Sequence, residues 1–537
     1  MSHAVTNQPP PLEGYDAFAD DPWLVALAQR LGLGPYTQRA SALGRYVGSA
    51  PAQADAAAAN RNAPVLRTHD RFGHRIDEVD YHPAYHALMG EALGAGVHSV
   101  AWKDGQSGFR AHALLFYLWN QLEQGTACPV TMTFASIPVM EHAPGVAAAW
   151  KPRVLHDAYD PRPLPVGEKR GATVGMAMTE KQGGSDLRAV ASVATADGEA
   201  WRLDGHKWFC SAPMSDAFFT LARTDAGVTC FFVPRSLPDG TRNAFRLQRL
   251  KDKCGNRSNA SSEVEYERTW ATLVGAPGRG IATLIEMAHH TRFDIVVGVA
   301  GMMRAALHQA LHHASHRSAF GRMLVDHPLM GNVLADMALE VQAATLLAFR
   351  LAQAFDARDG DDADNELQRI MTPIAKYWLC KRMTAVAVEA MECLGGNGYV
   401  EEAPLARLYR EAPLNGIWEG SPNVICLDAL RALRRSPAAF EALAAEIARG
   451  RDPRAARLLE QAATMLADPA TAETNARAAV ERLALALQAS LMRQHAATQA
   501  AEAFSASRLE APGSHSFGTL GAQFDHAALV RGARLGR

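Results

Sequence analysis

At 537 residues the chain is too long for one compact core, and three or four domains are expected. Its 48% apolar content suits large globular cores, and a net charge of −2, with both signs interspersed, gives no global pull towards nucleic acid or an anionic membrane. Seven scattered cysteines with no C-x-x-C pair, no secretory start and no membrane-length apolar run predict a soluble cytoplasmic protein with reduced thiols.

The first 60 residues, with Pro9–Pro11 and Ala54–Ala59, predict an arm with a short helix or two. From Tyr81 to Leu122 apolar residues recur at helical spacing, as in Leu114, Leu115, Leu118 and Leu122. Pro129 and Pro138 then predict a loop-rich approach to Arg170. Short apolar runs follow at 172–178, 192–196, 201–203, 218–222 and 229–233. Turn pairs Asp197-Gly198, Asp204-Gly205 and Asp239-Gly240 lie among them, which predicts a β region. The helical period returns at Gly280 and runs to about Leu433, with a polar break at 356–365, as in a helical bundle. An Ala- and Arg-rich helical segment continues to His495, and the end from Ala511 to Arg537 is predicted to be less ordered. There are no internal repeats.

The segment Ile417-Trp418-Glu419-Gly420-Ser421-Pro422-Asn423 supplies a carboxylate in a setting suited to proton transfer. Burial beside an indole would raise a carboxyl pKa towards neutrality, where a general base works best, and Gly420 lets the backbone approach a ligand. Taken alone, the segment better suits a helix start, with Ser421 and Asn423 as cap residues. Four further segments stand upstream of it. They are Met178-Thr179-Glu180-Lys181-Gln182-Gly183-Gly184-Ser185-Asp186, Gly205-His206-Lys207-Trp208-Phe209-Cys210-Ser211, Arg317-Ser318-Ala319-Phe320-Gly321, and Leu394-Gly395-Gly396-Asn397-Gly398-Tyr399.

In this order the five motifs resemble the acyl-CoA dehydrogenase superfamily of flavoproteins, over roughly 170 to 435. Lys181-Gln182-Gly183-Gly184, the run Leu250–Ala260, the start Asn7–Leu12 and the long tail after 435 resemble the AidB-like group, which is linked to the response to DNA alkylation. The resemblance implies an α+β fold: an N-terminal arm and helical domain (1–175), a central β-barrel-like domain (176–279), a helical bundle completing an FAD site (280–437) and an additional C-terminal helical domain (438–537). It implies FAD as cofactor. Met178, Thr179, Gly184 and Ser185 would line the flavin or its phosphates, with Phe209 and Ser211 at its edge. Arg317, Phe320, Gly395 and Gly396 would come from a neighbouring subunit, in a homotetramer built from dimers. Trp418, Gly420, Ser421 and Asn423 would also reach the cofactor, and Glu419 would be the catalytic base that takes the α-proton of an acyl thioester.

The chain departs from that pattern at His289, where the superfamily usually has Asp beside the substrate-contacting residue, here Arg292. Glu392 stands where Gln is frequent, and Trp208 and Cys210 are bulky enough to narrow an acyl pocket. His308, His312 and His316 share a helical face but have no acidic or sulfur companion, so they suit a solvated or interface face better than a metal site. The AidB resemblance further implies contact with double-stranded DNA through the C-terminal domain. Residues 436–537 hold 11 Arg and no Lys against 10 acidic residues, 11 − 10 = +1, so any patch must be local. Arg431, Arg434 and Arg435 form one such cluster; Arg449–Arg457 and Arg531–Arg537 form others. Three activities follow as alternatives: a DNA-associated flavoprotein, a metabolic acyl-CoA dehydrogenase, or a flavin oxidase or monooxygenase.

Overall fold

The computed structural model describes residues 3–105, 107–357, 362–510 and 516–536. The chain forms two compact units: Met1–Ala50 with Phe109–Leu122 and Ile295–Arg537, and Pro51–Gly108 with Glu123–Asp294.

The second unit is built on a sheet. The five predicted apolar runs form β3 (Val174–Ala177), β4 (Val193–Asp197), β5 (Ala200–Ser211), β6 (Ala217–Thr224) and β7 (Gly227–Pro234). Two further strands, β8 (Phe245–Leu250) and β9 (Ser261–Val274), complete a seven-stranded sheet ordered β3-β6-β4-β5-β9-β7, with β8 on β9 and β6 also paired to β7. β4 meets β6 through the single pair Val193 and Arg223, so the sheet curves like a barrel without closing as one. Its interior is apolar, from Phe218, Phe231, Phe245, Val264 and Tyr266. The pair Asp204-Gly205 is not a turn. It lies inside β5, where the register against β9 shifts, Gly205 has φ +148°, and a Cβ would collide with the side chain of Ser192. Here glycine marks a bulge and a close approach.

One other expectation fails in this unit, and a segment without a sequence expectation proves to be structured. The segment before Tyr81 contains a hairpin, β1 (Val65–His69) with β2 (Arg75–Asp80). The region read as loop-rich holds the helices Ala127–Met140 and Pro144–Val154. Pro129 lies in the first turn, where an N–H has no intrahelical acceptor to lose, and Pro138 falls in the last.

The first unit is helical. Its long helices are the Ile295 end of Gly280–His316, then Pro328–Asp356 and Asp362–Leu394, followed by Pro404–Asn415 and Pro422–Arg435. Beyond Arg435 come Pro437–Arg449, Pro453–Ala467, Ala472–His495 and Thr498–Ser505. Many of these helices open with proline, whose fixed φ and missing N–H suit that position. Pro328–Asp356 is long and apolar enough to cross a membrane, contrary to the sequence reading, but 83% of its apolar stretch is buried within the protein. The chain end is also more ordered than expected. The amides of Gly518 and Thr519 donate to Asp336, and the helix His526–Ala533 buries Val530 and Ala533. Residues 511–515 and Arg537, part of that expectation, lie outside the described residues.

Candidate active site

In the sheet unit the first two motifs are joined. Trp208 N donates to Thr179 O at 2.8 Å, and a tight turn links Glu180 and Gly183 through both their amides. Gly184 folds back on Thr179 so closely that a Cβ would collide with the threonine side chain. Met178 and Thr179 are half-buried and Ser185 is exposed. Under this surface lies a pair that sequence reasoning missed. Glu180 and Lys207 are both buried, with Nζ 2.7 Å from Oε1. The carboxylate also accepts from Ala191 N, Ser192 N, Ser192 Oγ and Gln182 Nε2, while Lys207 donates to Leu221 O. Burial opposes the charge on Glu180, but the Lys207 ammonium and these donors hold its pKa down at about 2. The signal was a charged residue inside each of two quoted motifs.

A bulge in β5 between Lys207 and Cys210 turns Trp208 and Phe209 outward together. Phe209 is 51% exposed, so it is not a core residue. Cys210 is: it lies in the sheet's apolar interior, where burial pushes its thiol up to about 12, and it cannot narrow a pocket. Ser211, at the end of β5, has its Oγ 3.2 Å from Ser261 Oγ on the neighbouring β9.

In the helical unit the Glu419 motif forms the turn between the helices Pro404–Asn415 and Pro422–Arg435. Glu419 has φ +56°, a left-handed conformation unusual for a residue with a Cβ, and Gly420 follows at φ +112°. Lys376, itself buried, donates to Gly420 O at 2.8 Å and clamps the turn. Ser421 occupies the N-cap position of the following helix, yet its side chain makes no cap hydrogen bond. Asn423 accepts from Arg477 Nε at 2.8 Å. A capping role does not account for this segment. Trp418 Nε1 is buried with no acceptor among the described residues, and Glu419 Oε2 is shielded from solvent.

The other two motifs of this unit are presented outward. Arg317 begins a short hairpin, β10 (Ser318–Ala319) with β11 (Arg322–Met323), whose tip is Phe320 at φ +52° and 99% exposure. Gly395, at φ +61°, and Gly396 are exposed, and a Cβ on either would meet nothing within 4 Å. The N-terminal arm straps both. Asn7 accepts from Ser318 N (2.8 Å) and Ser318 Oγ (2.9 Å), Arg317 donates to Asn7 O, and Asn397 donates to Gln8 Oε1 at 3.3 Å.

Arg292 is buried in the helix that follows the sheet. The histidines divide: His308 and His313 are buried, while His312 bonds Pro10 O at 2.8 Å. No group that could hold a metal is found among the described residues. Five of the ten described arginines after 435 are held in ion pairs. Arg454 is buried on Asp452 and also reaches Glu502 and Glu510; Arg493 pairs with Asp452; Arg508 with Asp336; Arg449 with Glu446; Arg531 with Asp525. Arg431, Arg434 and Arg435, at the end of Pro422–Arg435, are at least partly exposed and make no ion pair among the described residues.

Comparison with known proteins agrees with this layout. Residues 7–161 match the adaptive response protein AidB N-terminal domain, 175–269 the acyl-CoA dehydrogenase middle domain and 278–434 the acyl-CoA dehydrogenase C-terminal domain. The AidB protein of Escherichia coli (strain K12), named as an acyl-CoA dehydrogenase, is 45% identical over 471 residues, spanning 86% of this chain and 87% of that protein. Among solved structures, the apo form of Bd2924 superposes with a TM-score of 0.84 at 26% identity, covering 91% of this chain and 99% of that one. Caenorhabditis elegans ACDH-11, in complex with C11-CoA, gives 0.84 at 24% identity, covering 99% and 93%, and so speaks for the fold alone. The chain belongs to the acyl-CoA dehydrogenase family, as an FAD-dependent oxidoreductase acting on CH–CH groups. Within that family it is AidB-like, by its N-terminal domain and by its likeness to the E. coli protein over most of its length.

Proposed function

We propose that the protein is a DNA-associated flavoprotein of the response to DNA alkylation damage. It would contact double-stranded DNA through Arg431, Arg434 and Arg435 and retain an α,β-dehydrogenation site based on Glu419. The observation that carries the chemistry is the Glu419 turn. A left-handed glutamate followed by glycine, clamped by a buried lysine, is a conformation the chain would not adopt for capping alone. The residues suit FAD: an outward aromatic at Phe209, a buried Trp418 N–H that lacks an acceptor, and open backbone at Gly395-Gly396.

Thr179, Ser211 and the amides around Gly184 and Ser185 would hold the ring, with Met178 and Phe209 against it. Trp418, Gly420, Ser421 and Asn423 would complete its surroundings. Arg317 would pair with the pyrophosphate bidentately, and Gly395-Gly396 would admit phosphate oxygens. The exposed Phe320 hairpin and the glycine pair serve the cofactor of a second subunit on this reading, in a homotetramer. Bound FAD supplies the hydride acceptor. Glu419 takes the α-proton of the substrate, and Arg292 orients an acyl-CoA or a related molecule. The turn's fixed backbone aims the carboxylate before substrate arrives.

The arginine cluster supports the DNA part, because phosphate attraction needs cations that are not already paired. The experiment has two arms. Glu419→Gln should leave the protein yellow but slow flavin bleaching by any acyl-CoA that reduces the parent, by roughly 1000-fold, the scale of a lost general base. Surviving reduction would unseat Glu419. The triple variant R431A/R434A/R435A should lose a salt-dependent shift on duplex DNA with unchanged melting temperature. An unaltered shift would move DNA elsewhere. The metabolic reading retains the same base, and rapid reduction by a short or branched acyl-CoA with no DNA binding would favour it.

A further inference from the structure

Outside the catalytic turn, the strongest unexplained feature is a cluster of cations gathered on the ring of Trp208. Lys251 Nζ stands 3.3 Å from the ring centroid, Arg249 5.5 Å and Lys181 5.8 Å; Lys251 also lies 4.9 Å from the ring of Phe209. They come from three places in the sheet unit: the turn after β3, the end of β8 and the loop beyond it. Like charges this close repel, so something must hold them. The indole face attracts each of them, and Glu263 accepts from Arg249 Nε at 2.6 Å and from Lys251 Nζ at 2.5 Å. Glu263 is the one carboxylate bonded to the group among the described residues, and Lys181 has no ion pair there. Three cations therefore converge with one negative charge between them, and Lys181 and Arg249 are exposed to solvent.

A surface ammonium or guanidinium gains little from standing beside like charges unless an anion joins them. Neighbouring Asp252 makes no ion pair with the group among the described residues, and the backbone amide of Lys181 donates to His206 Nε2 at 2.9 Å, which fixes the backbone from which its side chain springs. We infer that Lys181, Arg249 and Lys251, set on Trp208, form a subsite for a phosphate group of the substrate. The inference rests on the reading that Phe209, the next residue, borders the flavin. Two sources present that chemistry: the nucleotide handle of coenzyme A and the backbone of a nucleic-acid strand. The arginines at 431–435 belong to the other unit.

The test uses the FAD-loaded protein and two probes, adenosine 3′,5′-bisphosphate and a short single strand of DNA, titrated calorimetrically at low and moderate salt. At least one probe should bind, and its affinity should fall with salt. The double variant K181E/K251E should weaken it by roughly tenfold or more, W208A by a smaller factor, and K251R should restore most of it, with the flavin content unchanged throughout. Preference for the bisphosphate assigns the subsite to coenzyme A, and preference for the strand assigns it to nucleic acid. No binding of either probe to yellow protein, or equal binding by K181E/K251E, overturns the subsite. Loss of FAD from K181E/K251E also overturns it, because the cations would then belong to the cofactor's own phosphates. Parent protein that takes up no FAD would instead sink the underlying reading.

Discussion

At the strand motif a buried ion pair between Glu180 and Lys207 fixes the backbone from beneath, whereas at the Glu419 turn the backbone is itself held in a disfavoured conformation. The first region spends its polar groups internally: the donors around Glu180 are satisfied by its carboxylate, and the outer face is left to Phe209, Ser185 and Ser211. The second keeps groups unspent, as the Trp418 N–H and the uncapped Ser421 show. An outward aromatic surface can be built on a bulged strand with a charged anchor beneath it. A carboxylate that must point at a reacting atom needs a backbone that no regular helix supplies.

That contrast can be broken at its anchor. Lys207→Met should strand the Glu180 carboxylate in the sheet's interior and destabilise the protein by about 3–5 kcal/mol, read from chemical denaturation; a loss below ~1 kcal/mol would mean the pair is not holding the motif. Acid offers a milder form of the same test. The folded pKa of Glu180, about 2, lies below its ordinary 4.5, so its stabilisation is complete above pH 4.5 and lost as pH falls towards 2. Melting temperature should therefore decline across that window, and the decline should flatten in Glu180→Gln. The smallest effect belongs to the turn. Glu419→Gly relieves the left-handed strain and should raise stability by roughly 1 kcal/mol while removing the proposed base. If the variant is less stable than the parent, the carboxylate is supporting the turn, and strain is the wrong description.

The arginines make a second comparison of the same kind. Arg454 and Arg508 sit in acidic surroundings inside the helical unit, while Arg431, Arg434 and Arg435 carry the same charge with no ion pair among the described residues. A count of +1 over residues 436–537 could not separate them, because spacing along the chain does not reveal which carboxylate a guanidinium meets.

Sequence alone determined the order of helical, strand and helical regions, because hydrophobic period changes from 3.6 to 2 and back, and it determined the family, because motifs with fixed chemical roles survive as short local patterns. It misread what depends on neighbours. Pro129 looked like a break but sits where a helix has no hydrogen bond to lose, and Asp204-Gly205 looked like a turn but is a bulge pressed on Ser192. β8 and β9 were missed because their charged outer residues, Arg246, Arg249, Glu263 and Glu265, disguise strands whose inner residues are Leu247 and Val264. Only tertiary structure decided that Cys210 is core while Phe209 is surface, that Glu180 finds Lys207, and that Glu419 stands in a left-handed turn. Each of these turns on burial and on partners distant in sequence, which a local pattern of residues does not encode.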